Sequence, residues 1–99
     1  MKLYIISAKA VADMENIWLY TLRTWSVEQA DRYYKLIIDE IKYLAEHADS
    51  GKPIDYLKKG YRVSKVKSHL IFYKQLDENT IDIIRILHQR MDTENRLND

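Results

Sequence analysis

The period of the apolar positions changes along the chain, and each change marks an element. Residues 2–6 form a short apolar run that predicts a strand. Val11, Met14, Ile17, Trp18, Thr21, Leu22 and Trp25 then recur at spacings of three and four. That is one face of an amphipathic helix, with Lys9, Asp13, Glu15 and Arg23 on the other. Ser7 stands ahead of it as an N-cap, its hydroxyl free to accept from an amide of the first turn. Ser26 and Gln29 have the spacing of a capping box, and a second helix follows with Ala30, Tyr33, Tyr34, Ile37, Ile41, Leu44 and Ala45 inward. Two long helices with so little chain between them predict an antiparallel hairpin zipped along its apolar stripes.

Residues 47–60, "HADSGKPIDYLKKG", carry the only proline and both glycines, and form the one long loop. Beyond Gly60 the pattern alternates, with Tyr61 and Val63 on one side and Arg62 and Ser64 on the other. "SHLIFYKQL" and "TIDIIRILH" are strand-like runs joined by the polar loop "DEN". The tail "TENRLND" is polar, either a short helix or without structure. The order β-α-α-β-β-β predicts an α+β domain. An antiparallel three-stranded meander, joined by the N-terminal strand, carries the helical hairpin on one face.

A three-residue loop places Leu76 opposite Thr80 and Lys74 opposite Asp82, an attractive cross-strand pair. Phe72 then faces Ile84, and Leu70 faces Ile86. If Val66 and Lys67 turn the preceding pair, Val63 faces Leu70 and Tyr61 faces Phe72. Tyr61, Val63, Leu70, Phe72, Ile84 and Ile86 make the face expected under the helices. The opposite face collects Arg62, Ser64, His69, Ile71, Tyr73, Ile83, Arg85 and Leu87. Such a mixture of aliphatic and cationic groups, left open, predicts a docking surface for a partner with apolar and acidic side chains. Arg85 is the sharpest feature, a guanidinium inside the apolar run "IDIIRILHQRMD". It is expected to serve recognition and not stability. His88, Arg90 and Asp92, where the strand ends, are the second candidate contact surface. The Trp and Tyr stripe of the helices is assigned to the core.

Composition narrows the function. The chain has 99 residues, 46% of them hydrophobic and 31% charged, which suits one globular domain over 1–99. Its net charge of +1 gives no global field toward nucleic acid, so any cationic site is local. The chain has no cysteine, which excludes a disulfide scaffold and a thiolate metal site. The N-terminal apolar run is too short for a signal core or a membrane span, so a cytoplasmic location without membrane attachment is expected. No nucleophile elbow, P-loop or HExxH motif occurs, and His47, His69 and His88 fall in different elements. Catalytic residues, metal and cofactors are therefore expected to be none.

"ISAKAVADMENIWLYTLRTWSVEQADRYY", "GYRVSKVKSHLIFYK" and "IIRILHQRMD" together resemble ParE toxins of the RelE/ParE superfamily, from type II toxin–antitoxin modules. The resemblance covers nearly the whole chain. It implies a helical hairpin on a small antiparallel sheet. It also implies a ParD-like antitoxin with a ribbon-helix-helix part that meets operator DNA, so that the toxin reaches DNA only indirectly. The free toxin is implied to inhibit DNA gyrase and arrest growth, as in plasmid stabilisation. RelE-type relatives instead cut ribosome-bound mRNA, with Lys and Arg on the open sheet face and an aromatic near the C-terminus. This chain has His69 where such relatives commonly carry arginine, and no tyrosine follows "LHQRMD". The gyrase reading is thus preferred to a ribosome-dependent endoribonuclease, and to a non-toxic co-repressor module that only binds its antitoxin.

Overall fold

The computed structural model describes residues 2–98. Strand β1 (Leu3–Ile6) leads into α1 (Ala8–Thr24) and α2 (Val27–Glu46). Then come β2 (Lys52–Pro53), β3 (Tyr61–Val66), β4 (His69–Asp77), β5 (Thr80–His88) and a short α3 (Thr93–Leu97). Both expected caps are present. The Ser7 hydroxyl accepts from the Ala10 amide and the Ser26 hydroxyl from the Gln29 amide, each at 3.1 Å.

The five strands lie in the order β1-β5-β4-β3-β2. The meander β3-β4-β5 is antiparallel, and the N-terminal strand joins it beside β5 as a parallel partner. The long loop contributes the two-residue β2 at the far edge, where Pro53 needs no ladder donor.

The hairpin packs one face of the sheet. Ala10, Met14, Ile37, Ile41 and Leu44 meet Ile71, Tyr73, Ile81, Ile83 and Ile86 in the main core. The opposite face is covered as well. Ile54 from the loop and Leu97 from α3 pack on Phe72 and Leu87, with Tyr61, Val63 and Leu70 around them.

The expected faces are therefore corrected twice. The grouping by parity holds within β3 and β4: Arg62, Ser64, Ile71 and Tyr73 do share a face. That face is the one under the hairpin, and Tyr61, Val63, Leu70 and Phe72 lie on the other. The register also differs. The β3–β4 turn is Lys67–Ser68, one residue later than expected, so Val66 pairs with His69, Val63 with Phe72 and Tyr61 with Lys74. In β5, Tyr73 pairs with Ile83 and Phe72 with Arg85, which leaves Ile84 as a bulge. Ile83 and Ile86 consequently both face the hairpin, and Leu87 turns to the second core.

Candidate functional site

Parallel pairing of β1 with β5 stops at Ile6 and Ile83. Ser7 closes the end of the ladder: its amide donates to the Ile83 carbonyl at 3.0 Å and its hydroxyl to the Ile84 carbonyl at 2.7 Å. Beyond that point the edge of β5 would show bare amides. Asp13 of α1 takes the next one. Its carboxylate accepts from the Ile86 amide at 3.0 Å, and from Arg85 Nε at 2.8 Å and Nη2 at 3.0 Å. The Arg85 guanidinium also donates to the Arg96 carbonyl at 3.1 Å, which ties α3 to the same corner. The side chains of Asp13 and Arg85 keep only 12% and 11% of their exposure. The guanidinium in the apolar run thus serves the fold. It wraps the sheet edge and pairs in two-pronged fashion with the carboxylate that caps that edge.

Beside this corner lies an open groove of about 1130 Å³. Its walls are α1 and the N-terminal half of α2, and its floor is the β3–β4 turn and the end of β5. Tyr20 and Trp25 stand on its rim, 67% and 73% exposed, although an aromatic on the helix stripe was expected in the core. Arg32, Lys67 and Arg96 supply cations around them. Among the described residues Asp13 is the only carboxylate that lines the groove, and it is already bridged by Arg85. The groove therefore offers aromatic surface within a field of positive charge.

His69 and His88 sit together in it as a directly opposed cross-strand pair. Their rings meet edge to face with centroids 5.2 Å apart. Tyr33 Oη lies 2.6 Å from His69 Nδ1 and 3.3 Å from the Val66 carbonyl. The Arg90 amide donates to His88 Nδ1 at 3.1 Å, so the neutral ring carries its proton on Nε2. Burial, followed by the charge of His88, pushes the pKa of His69 down to about 4, against a smaller upward pull from Asp13. His69 is thus a neutral imidazole at pH 7.

Of the residues expected on an open sheet face, most are elsewhere. Ile71 and Tyr73 are fully buried under the hairpin, and Leu87 is buried in the second core. Arg62 donates to the Gly51 carbonyl at 2.7 Å and the Asp49 carbonyl at 3.2 Å, holding the loop after α2. Asp92 caps α3, and Arg90 is exposed. His69, His88 and Arg85 are the polar members that the fold does bring together. Tyr20, Trp25, Arg32, Tyr33 and Lys67 were missed. The signal for Tyr20 and Arg32 was a second stripe at Asn16, Tyr20, Gln29, Arg32 and Leu36, polar enough to pass for a solvated face, while Trp25 and Tyr33 lay on the stripe assigned to the core. Among the described residues no group of three or more His, Asp or Glu is placed to hold a metal ion, and no helix is long and apolar enough to cross a membrane.

Comparison with known proteins gives the fold a lineage. Residues 4–93 match the model of the ParE toxin of the type II toxin–antitoxin system parDE. Toxin ParE1 of Mycobacterium tuberculosis is 38% identical over 94 residues, covering 95% of this chain and 96% of the relative. Toxin ParE1 of Caulobacter vibrioides is 41% identical over 91 residues, covering 92% and 93%. Toxin ParE of Escherichia coli is 32% identical over 99 residues, covering 100% and 96%. A chain of the chromosomal ParDE TA system from P. aeruginosa superposes with a TM-score of 0.74 at 22% identity, over 89% of this chain and 95% of that one, and so shares the fold. With the family match running through both helices and the whole meander, the chain belongs to the ParE toxin family of type II toxin–antitoxin systems.

Proposed function

We propose that this chain is a growth-arresting toxin that blocks DNA gyrase in the cytoplasm, without chemistry of its own, and is neutralised by a ParD-like antitoxin. The observation that carries the reading is the ParE family match over residues 4–93. The groove supports the antitoxin half. An excess of Arg32, Lys67 and Arg96 beside exposed Tyr20 and Trp25 complements a segment with acidic and apolar side chains. Contact with operator DNA would then run through the antitoxin, in keeping with a net charge of only +1.

A ribosome-dependent nuclease is the second reading, favoured by one observation: a neutral imidazole, His69, beside Tyr33 in a cationic groove. One experiment separates the two. The chain is expressed alone in bacteria, and the purified chain is added to gyrase supercoiling assays and to ribosomes programmed with mRNA. Growth arrest with DNA-damage induction, lost supercoiling and intact mRNA is the expected result. Cleaved mRNA with unimpaired gyrase overturns it in favour of the nuclease, and normal growth with both targets unaffected leaves a non-toxic antitoxin-binding module.

A further inference from the structure

We infer that the His69–His88 pair is a carboxylate-binding subsite of the groove, and that the pair takes up a proton as an acidic side chain of the docked partner seats there. The inference rests on reading the groove as the seat of an acidic partner segment. It adds the residue chemistry and a proton to that reading.

Both imidazoles line the groove and are opposed across β4 and β5. Each has its Nδ1 engaged inside the protein, His69 by Tyr33 Oη and His88 by the Arg90 amide. That leaves Nε2 as the remaining polar atom of each ring. On His88 the Arg90 contact makes Nε2 a donor, which suits an anion and works against a metal ion.

Among the described residues Asp13 is the one carboxylate that lines the groove, and Arg85 already bridges it. His69 is faced by His88 from β5 and by Tyr33 from α2, and Arg32 of α2 lines the same groove. Lys67 stands in the turn before it, and the Arg85–Asp13 pair lies at the corner beyond. Burial, followed by the charge of His88, disfavours the imidazolium at His69, against a smaller opposite pull from Asp13. An incoming carboxylate reverses that balance and stabilises the imidazolium. The hydrogen bonds are already arranged for the change. When His69 gains a proton, Nδ1–H donates to Tyr33 Oη, and the tyrosine hydroxyl turns its own proton to the Val66 carbonyl 3.3 Å away. No internal partner is lost.

The test is titration calorimetry of the chain with a ParD-like antitoxin that binds it, near neutral pH, in buffers of different protonation enthalpy. Net proton uptake is expected, with affinity rising as pH falls, by at most about tenfold per pH unit for one proton. His69→Gln should abolish the uptake while leaving measurable, weaker binding. NMR titration of the wild-type ring nitrogens, free and bound, reads the same shift without any substitution. Binding with no proton uptake and an unmoved His69 overturns the inference and leaves the docking reading standing. Binding indifferent to Arg32→Glu and Trp25→Ala fails the docking reading, and the inference with it. A single-stranded RNA oligomer that protonates His69 where the antitoxin does not assigns the subsite to phosphate and overturns the carboxylate.

Discussion

Asp13 and Arg85, 72 positions apart in sequence, meet through two hydrogen bonds of 2.8 and 3.0 Å at the point where β1 stops protecting β5. The carboxylate also holds the Ile86 amide. Removing Asp13 therefore strands both a largely buried guanidinium and an edge amide. Asp13→Ala should cost about 3–5 kcal/mol, the range for breaking a buried pair from one side. Arg85→Leu leaves Asp13 with the Ile86 amide and should cost less, about 2–3 kcal/mol. In the double variant Asp13→Ala with Arg85→Leu the loss should be clearly smaller than the sum of the two single losses. Urea denaturation of the four proteins measures this. An Arg85→Leu protein as stable as wild type would return that residue to the surface-recognition role expected from sequence.

Acid should weaken the fold through His69. Its pKa falls from 6.5 in the unfolded chain to about 4 in the folded one, chiefly by burial. Between those values the unfolded state binds the extra proton, so stability rises with pH through the window. The effect is absent above about 6.5 and complete below about 4. His69→Gln removes the titrating group and should flatten that part of the curve of urea midpoint against pH. An unchanged acid slope in His69→Gln would assign it to other groups.

The helices, their caps and the meander were legible because each rests on local chemistry. Ser7 and Ser26 accept the amides expected of them, and the apolar stripe of α2 is buried at Ala30, Ile37, Ile41, Leu44 and Ala45. The pairing of Lys74 with Asp82 was also correct, for a compensating reason. The turn at Glu78 and Asn79 is one residue shorter than expected, and Leu76 bulges to restore the count. The second bulge, at Ile84, had no signal in a run of consecutive isoleucines. It moved Ile86 and Leu87 out of the groups expected for them, and because the covered side was inverted as well, Ile86 still lies under the hairpin and Leu87 away from it. The covered side was misjudged because alternation groups residues without saying which group a helix meets. Ile71 and Tyr73 looked like a binding surface only while Ile54 and Leu97 were left out of the packing.

Tyr73 joins the loop after α2 to the main core. Its hydroxyl donates to the Ala48 carbonyl at 2.8 Å and accepts from the Gly51 amide at 2.9 Å. A Cβ built at Gly51 would overlap the Tyr73 ring edge and hydroxyl. Tyr73→Phe should cost about 1–3 kcal/mol by stranding the Gly51 amide. Gly51→Ala should destabilise too, since the tyrosine cannot keep its place. In Gly51→Ala with Tyr73→Phe the alanine gains room, so the pair should be less than additive. Thermal melts read all three, and strict additivity would show that the close approach of Gly51 and Tyr73 carries no energy.

The contrast between groove and core tests the site most directly. Trp25 is 73% exposed at the end of α1, whereas Ile41 is fully buried between the hairpin and the sheet. Trp25→Ala removes surface that the free protein does not bury, so stability should stay within about 0.5 kcal/mol of wild type. The same change should weaken antitoxin binding by about 2 kcal/mol or more, as expected of an aromatic anchor at the rim of a cationic groove. Tyr20→Ala, 67% exposed on the same helix, should behave alike. Ile41→Ala should do the opposite. It opens a cavity and costs about 2–5 kcal/mol of stability, while the molecules that remain folded keep their affinity. Melting curves and antitoxin titrations on the three variants give a two-by-two outcome. If Trp25→Ala lowers stability and spares affinity, the groove is packing surface in solution, and the antitoxin docks elsewhere on the chain.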